Sequence, residues 1–406
     1  MDLTQPQIVS KSLAESKGLL DTLVVLLEKE DGSDIILNAH SRPAVKINGE
    51  IIYVGNDVLT AKQTEAIAKS LLSEKQWQHF SQTNELNLMV KYPGLAYFRT
   101  NIYRQRNDVG LVLRLIPLEI PTIEELQLPS ILKDLAMQKR GLTLFSGATG
   151  VGKSTSLAAM LDYRNGQRAE HIITVEDPIE FMHRNKKCVI TQREVGIDTD
   201  SYSIAMKSAL RQAPNVILVG EIRDREVMEQ ALAFAETGHM VFATVHATTT
   251  RLTLERIVNM FPHDRRDQLM LDLSHNLNAI VTQRLMKHAD GKHQIAALEV
   301  MSNTPHIELL IRESRFTELL DSMARSTLKE GVITIDNYIF DLYEQGKVTY
   351  EEALLYVDSP NNFRVRLRSD SQRELPEELE SQLHEDWKLE RAAVEARSPI
   401  YGNFTR

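Results

Sequence analysis

The sequence predicts an α/β protein in which a parallel-sheet domain follows a smaller α+β domain. Short alternating strands with a hairpin signal come first, a proline-containing stretch at 117–129 interrupts them, and buried-looking strands alternating with helices follow. We therefore expect a first domain at 1–117, a linker at 118–139, a second domain with C-terminal helices at 140–370, and a charged tail, helical or disordered, at 371–406.

The first domain is predicted to be an antiparallel sheet with a few helices. An apolar face at 19–28 favours a helix, and residues 59–81 also favour helices. Asn48-Gly49 lies between two β-prone runs, and such a pair is the strongest local hairpin signal. Strands are predicted at 34–37, 44–47, 51–54, 87–90, 96–103 and 109–115.

The second domain is predicted to contain a parallel sheet. Near-continuous apolar runs, typical of strands buried on both faces, alternate with helical stretches. These runs lie at 142–146, 172–176, 216–219 and 240–245. From about residue 300 the pattern is helical, through 333–344 and 350–357.

The composition is that of an ordinary globular protein. Of the 406 residues, 42% are hydrophobic and 25% are charged, which excludes wholesale disorder, collagen-like repeats and a membrane bundle. The net charge of −9 disfavours non-specific binding to phosphate backbones, so we expect no nucleic-acid partner. The single cysteine, Cys188, fits a reducing compartment. Since the sequence shows neither a signal peptide nor an apolar run of the ~20 residues that span a bilayer, we expect a cytoplasmic protein.

The strongest motif is a phosphate-binding loop. Residues 147–154 match G-x4-G-K-[ST], after an apolar strand and before a helix-prone run. Its glycines allow backbone N–H groups to surround phosphates, and the helix N-terminus adds the positive end of its dipole. The candidate nucleotide-binding residues are Gly147, Ala148, Thr149, Gly150, Val151, Gly152, Lys153, Ser154 and Thr155.

Three residues of this motif have separate expected roles. Lys153 would place its charge between the β- and γ-phosphates, Ser154 would offer a hydroxyl to Mg²⁺, and Thr155 can contact the α-phosphate. The alternative is a glycine-rich turn that binds nothing.

Carboxylates follow two of the predicted strands. Glu221 comes after the strand at 216–219, as in a Walker B motif, and would hold Mg²⁺ directly or through water. Glu176, Asp177 and Glu180 lie at the carboxyl end of another strand, where α/β sheets bind ligands, and one of them could polarise the attacking water. An ordinary strand-end acid and a solvated turn are the alternatives.

Two histidines flank the strand at 240–245. His239 precedes it and His246 follows it. A lone histidine is usually a satisfied surface or core residue, but the position of these two beside the predicted nucleotide-binding sheet makes a functional role worth considering. Without nearby cysteines they do not form a convincing zinc site.

Together these motifs resemble one family. GATGVGKST, TVEDPIEFMH, LRQAPNVILVGEIRD and TGHMVFATVHATT are similar to the Walker A, Asp box, Walker B and His box of the secretion ATPases, which drive type II secretion and type IV pili. The resemblance is strongest to the pilus-retraction ATPases, the PilT/PilU family, and covers residues 15–368. It implies a RecA-like P-loop ATPase domain preceded by a smaller PAS-like domain, a homo-hexameric ring, and ATP with Mg²⁺ bound between the two domains.

The resemblance also implies roles for the acids and histidines. Glu180, the last acid of the Asp box, would be the catalytic glutamate, and Glu221 would be the Walker B acid at the metal. His239 and His246 would be the His-box pair that senses or contacts the γ-phosphate side.

Arginines complete the site that the family implies. The family brings arginines of its N-terminal domain onto the phosphates; Arg99 and Arg114 fit those positions best. A planar, permanently charged guanidinium neutralises developing charge on the γ-phosphate, whereas the alternative is a solvated charge on a strand. The second choices are Arg104 and Arg106. Two arginines inside matched motifs would serve subunit contacts: Arg193 and Arg223.

Two departures are more similar to the PilU branch than to PilT. The AIRNLIRE helix of the retraction motor corresponds here to HIELLIRE at 306–313, and the charged tail extends past the usual end. PilU reinforces retraction beside a principal motor, so the expected partners are a PilT-type sister ATPase and the inner-membrane platform protein of the pilus. Assembly and secretion ATPases are disfavoured because they carry a four-cysteine zinc motif.

The leading interpretation is an ATP-hydrolysing hexameric motor that powers or assists type IV pilus retraction and twitching motility, peripheral at the inner membrane. The alternative is a nucleotide-binding ring adaptor for the sister ATPase, with little hydrolysis of its own. A nucleic-acid translocase shares the P-loop, but the negative charge and the lack of a basic, aromatic-interleaved stretch disfavour it.

Overall fold

The structure is a computed structural model that describes residues 16–30, 32–47, 49–92, 96–374 and 376. These residues form two units. The first unit comprises the described residues up to Ile120 together with Val175–Lys186 and Ile190–Ala205. The second comprises Pro121–Thr174, Lys187–Val189 and the described residues from Met206 onward. Two stretches of the predicted second domain are therefore part of the first unit.

The N-terminal part contains three helices and six strands. In chain order they are α1 (Ser16–Lys29), β1 (Gly32–Asn38), β2 (Ala44–Ile47), β3 (Glu50–Tyr53), α2 (Ala61–Leu71), α3 (Glu74–Thr83), β4 (Glu85–Tyr92), β5 (Ala96–Gln105) and β6 (Asp108–Ile116). The strands pair antiparallel in the order β3-β2-β1-β6-β5-β4. Antiparallel sheets of this kind bury one face and leave the other for polar side chains.

One face of this sheet packs against helices and forms a core. Apolar side chains of α1 at helical spacing, Leu20, Leu23 and Leu27, are buried there. Phe98 and Ile102 of β5 are buried in the same core. Because side chains alternate along a strand, Arg99 and Asn101 of β5 face the opposite side of the sheet.

The remainder of the chain contains eleven helices and eight strands within the described residues. They are α4 (Ile131–Ala136), β7 (Gly141–Ser146), α5 (Lys153–Gln167), β8 (His171–Glu176), β9 (Val189–Glu194), α6 (Tyr202–Ala209), β10 (Val216–Val219), α7 (Arg225–Glu236), β11 (Met240–Val245), α8 (Thr250–Asn259), α9 (His263–Asn276), β12 (Leu277–Lys287), β13 (Gln294–Ser302), α10 (Pro305–Arg312), α11 (Phe316–Arg325), β14 (Val332–Ile333), α12 (Ile335–Glu344), α13 (Tyr350–Tyr356) and α14 (Pro360–Asp370). Short 3-10 helices lie at Leu210–Gln212 and Leu328–Glu330.

These eight strands form one sheet in the order β14-β13-β12-β7-β11-β10-β8-β9. Strands β12, β7, β11 and β10 run parallel, and every residue of β7, β10 and β11 is buried. Complete burial follows from their apolar sequences, as in parallel sheets covered on both faces. Strands β13 and β14 are added antiparallel beside β12, so the sheet is mixed.

Most predicted elements are confirmed. The Asn-Gly hairpin is the turn between β2 and β3, where Ile47 pairs with Glu50 and Gly49 has φ +85°. Asn48 itself and most of the predicted tail lie outside the described residues. The helical pattern expected from about residue 300 is interrupted by the end of β13 and by β14, and α4 lies in the segment predicted as a linker.

Among the described helices, none combines the length and the apolar character needed to cross a membrane.

Candidate active site

The phosphate-binding motif lies on the turn between β7 and α5. Gly147 has φ +145°, and a Cβ there would lie 2.6 Å from the carbonyl oxygen of Gln283. Gly152 has φ +84° and is the N-cap of α5, where it offers no side chain to cap the helix. Because only glycine adopts such conformations readily and permits so close an approach, the local fold requires both glycines.

Lys153 is folded back onto this turn. Its side chain is buried, and Nζ donates to the carbonyl oxygens of Gly147 at 2.9 Å and Ala148 at 2.7 Å. The ammonium is thereby held against the loop, at the N-terminus of α5. Since the first N–H groups of a helix are not bonded within the helix and carry its positive dipole end, this turn suits an anion. Ser154 and Thr155 lie in the first turn of α5 and are partly buried.

Glu221 and His246 lie together at the ends of adjacent strands. Glu221 follows β10, His246 follows β11, and their side chains approach to 3.3 Å between Oε1 and Nε2. Arg223 Nε donates to the other carboxylate oxygen of Glu221 at 2.6 Å. The backbone N–H of Ile222 donates to the carbonyl of Thr244, which ties the Glu221 loop to β11. The predicted Walker B acid therefore lies between a guanidinium and an imidazole.

The donor types at these positions suit Mg²⁺. Magnesium is usually bound by one or two carboxylates, hydroxyls or waters together with substrate phosphates. Ser154 supplies a hydroxyl in the first turn of α5, and Glu221 supplies a carboxylate after β10. Within the described residues, three or more His, Cys, Asp or Glu side chains do not gather into a metal-binding cluster, so phosphate oxygens would have to complete the coordination.

The structure does not bring His239 to the phosphate-binding turn of the same chain. His239 precedes β11, and its carbonyl accepts the N–H of Gly141, the first residue of β7, whereas the turn follows the last residue of β7. Its ring bonds locally, with Nδ1 at 3.0 Å from Thr237 Oγ1 and 3.1 Å from the carbonyl of Phe234. A nucleotide contact of His239 remains a prediction.

The acidic segment 176–180 belongs to the first unit and is held by two side chains of β9. Gln192 Nε2 donates to Glu176 Oε1 at 3.3 Å and to the carbonyl of Phe181 at 2.9 Å. Glu194 is only 4% exposed and accepts the N–H of Ile179 at 3.1 Å. Glu180 itself is exposed. The backbone on either side of Glu180 is thus fixed while its carboxylate stays accessible.

Arg99 and Glu194 both bond the backbone of Ile179. Its Nη2 donates to the carbonyl of Ile179 at 3.1 Å, and its buried Nε has no hydrogen-bond partner within the described part of the chain. Burial lowers the pKa of the Arg99 guanidinium, with Arg114 adding to this effect and the charges of Glu194 and Glu180 opposing it. Burial likewise raises the pKa of Glu194, against the N–H of Ile179 and the charge of Arg99.

Arg114 lies directly opposite Arg99 on the neighbouring strand. The two residues pair across β5 and β6. Arg114 Nε donates to Asp34 at 2.8 Å, and its side chain is 61% exposed. Arg99 and Arg114, which are both predicted to contact the phosphates, therefore lie side by side. Each of them already bonds a residue of the first unit.

Three further predicted arginines also belong to the first unit. Arg104 and Arg106 lie at the β5–β6 turn, where Arg104 donates to the carbonyl of Asn107. Arg193 donates to the carbonyl of Asp198 at 3.1 Å. The roles of all these arginines in subunit contacts or catalysis remain predictions.

Sequence reasoning missed three polar residues that hold predicted site residues within their own unit: Gln192, Glu194 and Gln283. The first two brace the acidic segment, and Gln283 contacts the phosphate-binding turn from β12. None belongs to a short motif, so only the alternation of polar side chains along an otherwise regular strand could have drawn attention to them.

The parallel strands, the glycine-lined turn before α5 and the carboxylate after β10 define a P-loop ATPase with a RecA-like domain. Residues 104–331 match the family model described as "Type II/IV secretion system protein". The chain belongs to this family of secretion ATPases, in its type IV pilus retraction branch.

Three known proteins illustrate the similarity. The type IV pilus ATPase PilU of Pseudomonas aeruginosa is 47% identical over 352 residues, which cover 87% of this chain and 92% of PilU. The type IV pilus retraction ATPase PilT of the same organism is 38% identical over 84% of this chain and 98% of PilT. A crystal structure of the pilus retraction motor PilT with bound ADP is 37% identical, with a TM-score of 0.78 over 84% of this chain and 97% of that one.

These similarities confirm the predicted family, the predicted fold class and the predicted ATPase class. They also support nucleotide binding, because the similar PilT structure contains ADP.

Proposed function

We propose that this protein is an ATP-hydrolysing motor that powers or assists retraction of type IV pili and so supports twitching motility. The observation that carries the proposal is the intact phosphate-binding turn, with Lys153 buried against the carbonyls of Gly147 and Ala148. It occurs in a chain that is 47% identical to a type IV pilus ATPase over most of its length.

In this proposal the phosphates bind on the turn before α5. Backbone N–H groups of residues 147–152 and the N-terminus of α5 surround them, and Lys153 exchanges its carbonyl partners for the β- and γ-phosphates. Thr155 contacts the α-phosphate. Ser154 and Glu221 would hold Mg²⁺, which when bound would neutralise charge on the phosphate oxygens.

The chemical step is assigned to the acids and the surrounding cations. Glu180 accepts a proton from the attacking water, His246 contacts the γ-phosphate side, and Arg99 and Arg114 neutralise the charge that develops there. His239, at the opposite end of β11 from His246, is assigned no step on the phosphates of its own chain. The exposed carboxylate of Glu180, on a backbone fixed by Glu194, supports its assignment as the group that works on water.

The motor is proposed to act as a homo-hexameric ring in the cytoplasm, at the inner membrane. Its expected partners are the platform protein of the pilus and a sister ATPase of the PilT type. Similarity to both PilU and PilT supports these partners. Work is transmitted only if ATP and ADP bind the alternative states of the ring with different affinities.

Two substitutions test the proposal in the purified protein. Lys153→Ala should abolish nucleotide binding and turnover, whereas the same change at exposed Lys329 should leave both unchanged. Glu180→Gln should bind ATP but release little phosphate, with exposed Glu236→Gln as the matched control. Binding by Lys153→Ala at the wild-type affinity would refute the phosphate site.

The ring-adaptor alternative predicts a different result. If Glu180→Gln and the wild type release phosphate at equal rates, the chain acts as a nucleotide-binding adaptor and not as a motor. Retraction measured in cells with and without this protein, with the sister ATPase present and then absent, decides whether it works alone or only beside that ATPase.

A further inference from the structure

Gln283 lies in β12, beside the phosphate-binding turn. The preceding residue, Thr282, pairs with Ser146 at the end of β7, and their hydroxyl oxygens are 2.7 Å apart. The side chain of Gln283 is only 2% exposed. A buried amide of this kind is costly unless its donor and acceptor are both satisfied.

Both ends of the Gln283 amide are satisfied by the turn and its helix. Nε2 donates to the carbonyl of Val151 at 2.7 Å, and Oε1 accepts from Ser156 Oγ at 2.8 Å. A carbonyl can only accept, so the nitrogen must face Val151 and the orientation of the amide is fixed. Neither leucine nor an ionised glutamate could make both bonds.

The backbone of the turn also passes close to Gln283. A Cβ on Gly147 would lie 2.6 Å from the carbonyl oxygen of Gln283, and a Cβ on Gly152 would lie 3.0 Å from its Nε2. One residue of β12 therefore contacts the beginning of the turn, its end, and the first turn of α5.

We propose that Gln283 is a positioning residue that sets the phosphate-binding conformation of residues 147–152; this rests on the proposed role of that turn in nucleotide binding. In a planar trans peptide the C=O and the following N–H point in opposite directions. Holding the Val151 carbonyl toward β12 therefore directs the Gly152 N–H away from β12. That N–H is one of the donors that a bound phosphate needs.

The proposal is tested by ADP affinity in the full-length protein with Mg²⁺. Gln283→Ala should raise the Kd for ADP about 10-fold, which corresponds to about 1.4 kcal/mol. Asn278→Ala is the matched control, because it removes an amide that bonds the carbonyl of Arg140 at the opposite end of the same strand pair. Its Kd should stay within about 2-fold of wild type, since the phosphate-binding turn is untouched.

A second variant provides a pH profile that loss of packing alone would not produce. In Gln283→Glu the protonated acid can still donate to the Val151 carbonyl, whereas the carboxylate cannot and would repel phosphate. Burial at this position raises the pKa of the introduced carboxyl above its ordinary value of about 4.3. The Kd of this variant for ADP, relative to wild type, should therefore increase as the pH rises from 4 to 8. If Gln283→Ala is recovered unfolded, two results decide whether Gln283 positions the turn. One is this pH profile, and the other is the Kd for ADP of Ser156→Ala, which should rise because that variant removes the bond to Gln283 Oε1.

The two proposals fail in different ways. Wild-type ADP binding by Lys153→Ala refutes the phosphate site. Loss of binding in Lys153→Ala together with unchanged binding in Gln283→Ala, and a pH-independent ratio for Gln283→Glu, refutes the role of Gln283 alone.

Discussion

Glu194 offers a sharp test of how the first unit holds the acidic segment. Glu194→Ala removes the carboxylate that accepts the Ile179 N–H at 3.1 Å and that faces Arg99. A hydrogen bond to a charged group contributes about 1.5–3 kcal/mol, so we expect the native conformation of the acidic segment 176–180 to lose about 2 kcal/mol of stability. That corresponds to a roughly 30-fold change in its local equilibrium.

The expected consequence is a selective loss of turnover. With Glu180 as the proposed catalytic base, phosphate release should fall by up to about 30-fold in Glu194→Ala while the KM for ATP changes less than about 2-fold, because the phosphate-binding turn is intact. Glu194→Gln keeps an acceptor for the Ile179 N–H and should lose much less. Glu236→Ala, at an exposed glutamate, is the control.

Hydrogen exchange provides a readout that does not depend on catalysis. The amide of Ile179 should exchange faster in Glu194→Ala than in Glu194→Gln or the wild type, since its acceptor is lost. Unchanged exchange together with unchanged turnover in both variants would show that the carboxylate does not hold this segment.

Three further predictions concern other residues of the two units. Arg99→Ala and Arg114→Ala should keep ATP binding and lose about 10³-fold in phosphate release, and normal rates in both would reject their role at the phosphates. Burial raises the pKa of Glu299 above its ordinary 4.5, so the folded state binds the proton more tightly than the unfolded state, and the free energy of unfolding of the wild type should fall as the pH rises above 4.5. The free energy of unfolding of Glu299→Gln should lack this decrease. An equal dependence on pH in the wild type and the variant would contradict the prediction. Arg164→Met should destabilise the protein by about 3–5 kcal/mol in thermal unfolding, because the buried guanidinium bonds a glutamate and two carbonyls. The control is Arg168→Met, at a more exposed arginine that contacts the same glutamate, and it should cost about 1 kcal/mol.

Local patterns in the sequence predicted much of the fold. The Asn-Gly hairpin, the helix at 19–28 and the apolar strands on both sides of the phosphate motif each carry their signal within a few residues. The antiparallel addition of β13 and β14 was missed, because apolar runs such as 294–302 have no periodicity that separates a strand from a buried helix.

The residues of the candidate site also differ in whether a local sequence pattern could predict them. The phosphate motif is contiguous, so its residues could be read directly. Glu194 and Gln283 owe their roles to partners that only the fold supplies: Gln283 bonds Ser156, which is 127 residues away in sequence. Such a pairing leaves no local signal, since a buried glutamine in a strand resembles any other polar residue at that position.

Strand β12 presents neighbouring residues to two different parts of the second unit. Gln283 points to the phosphate-binding turn. The guanidinium of Arg284 bonds the carbonyl of Tyr356, the last residue of α13, and the carboxylate of Asp358, which follows that helix. Because successive side chains of a strand face opposite sides, deleting or inserting a single amino acid before Gln283 would move every following side chain of β12 to the other side. A deletion would place the cation of Arg284 against Val151, and an insertion would place the amide of Gln283 against Asp358, so the spacing along this strand is as demanding as the choice of residues.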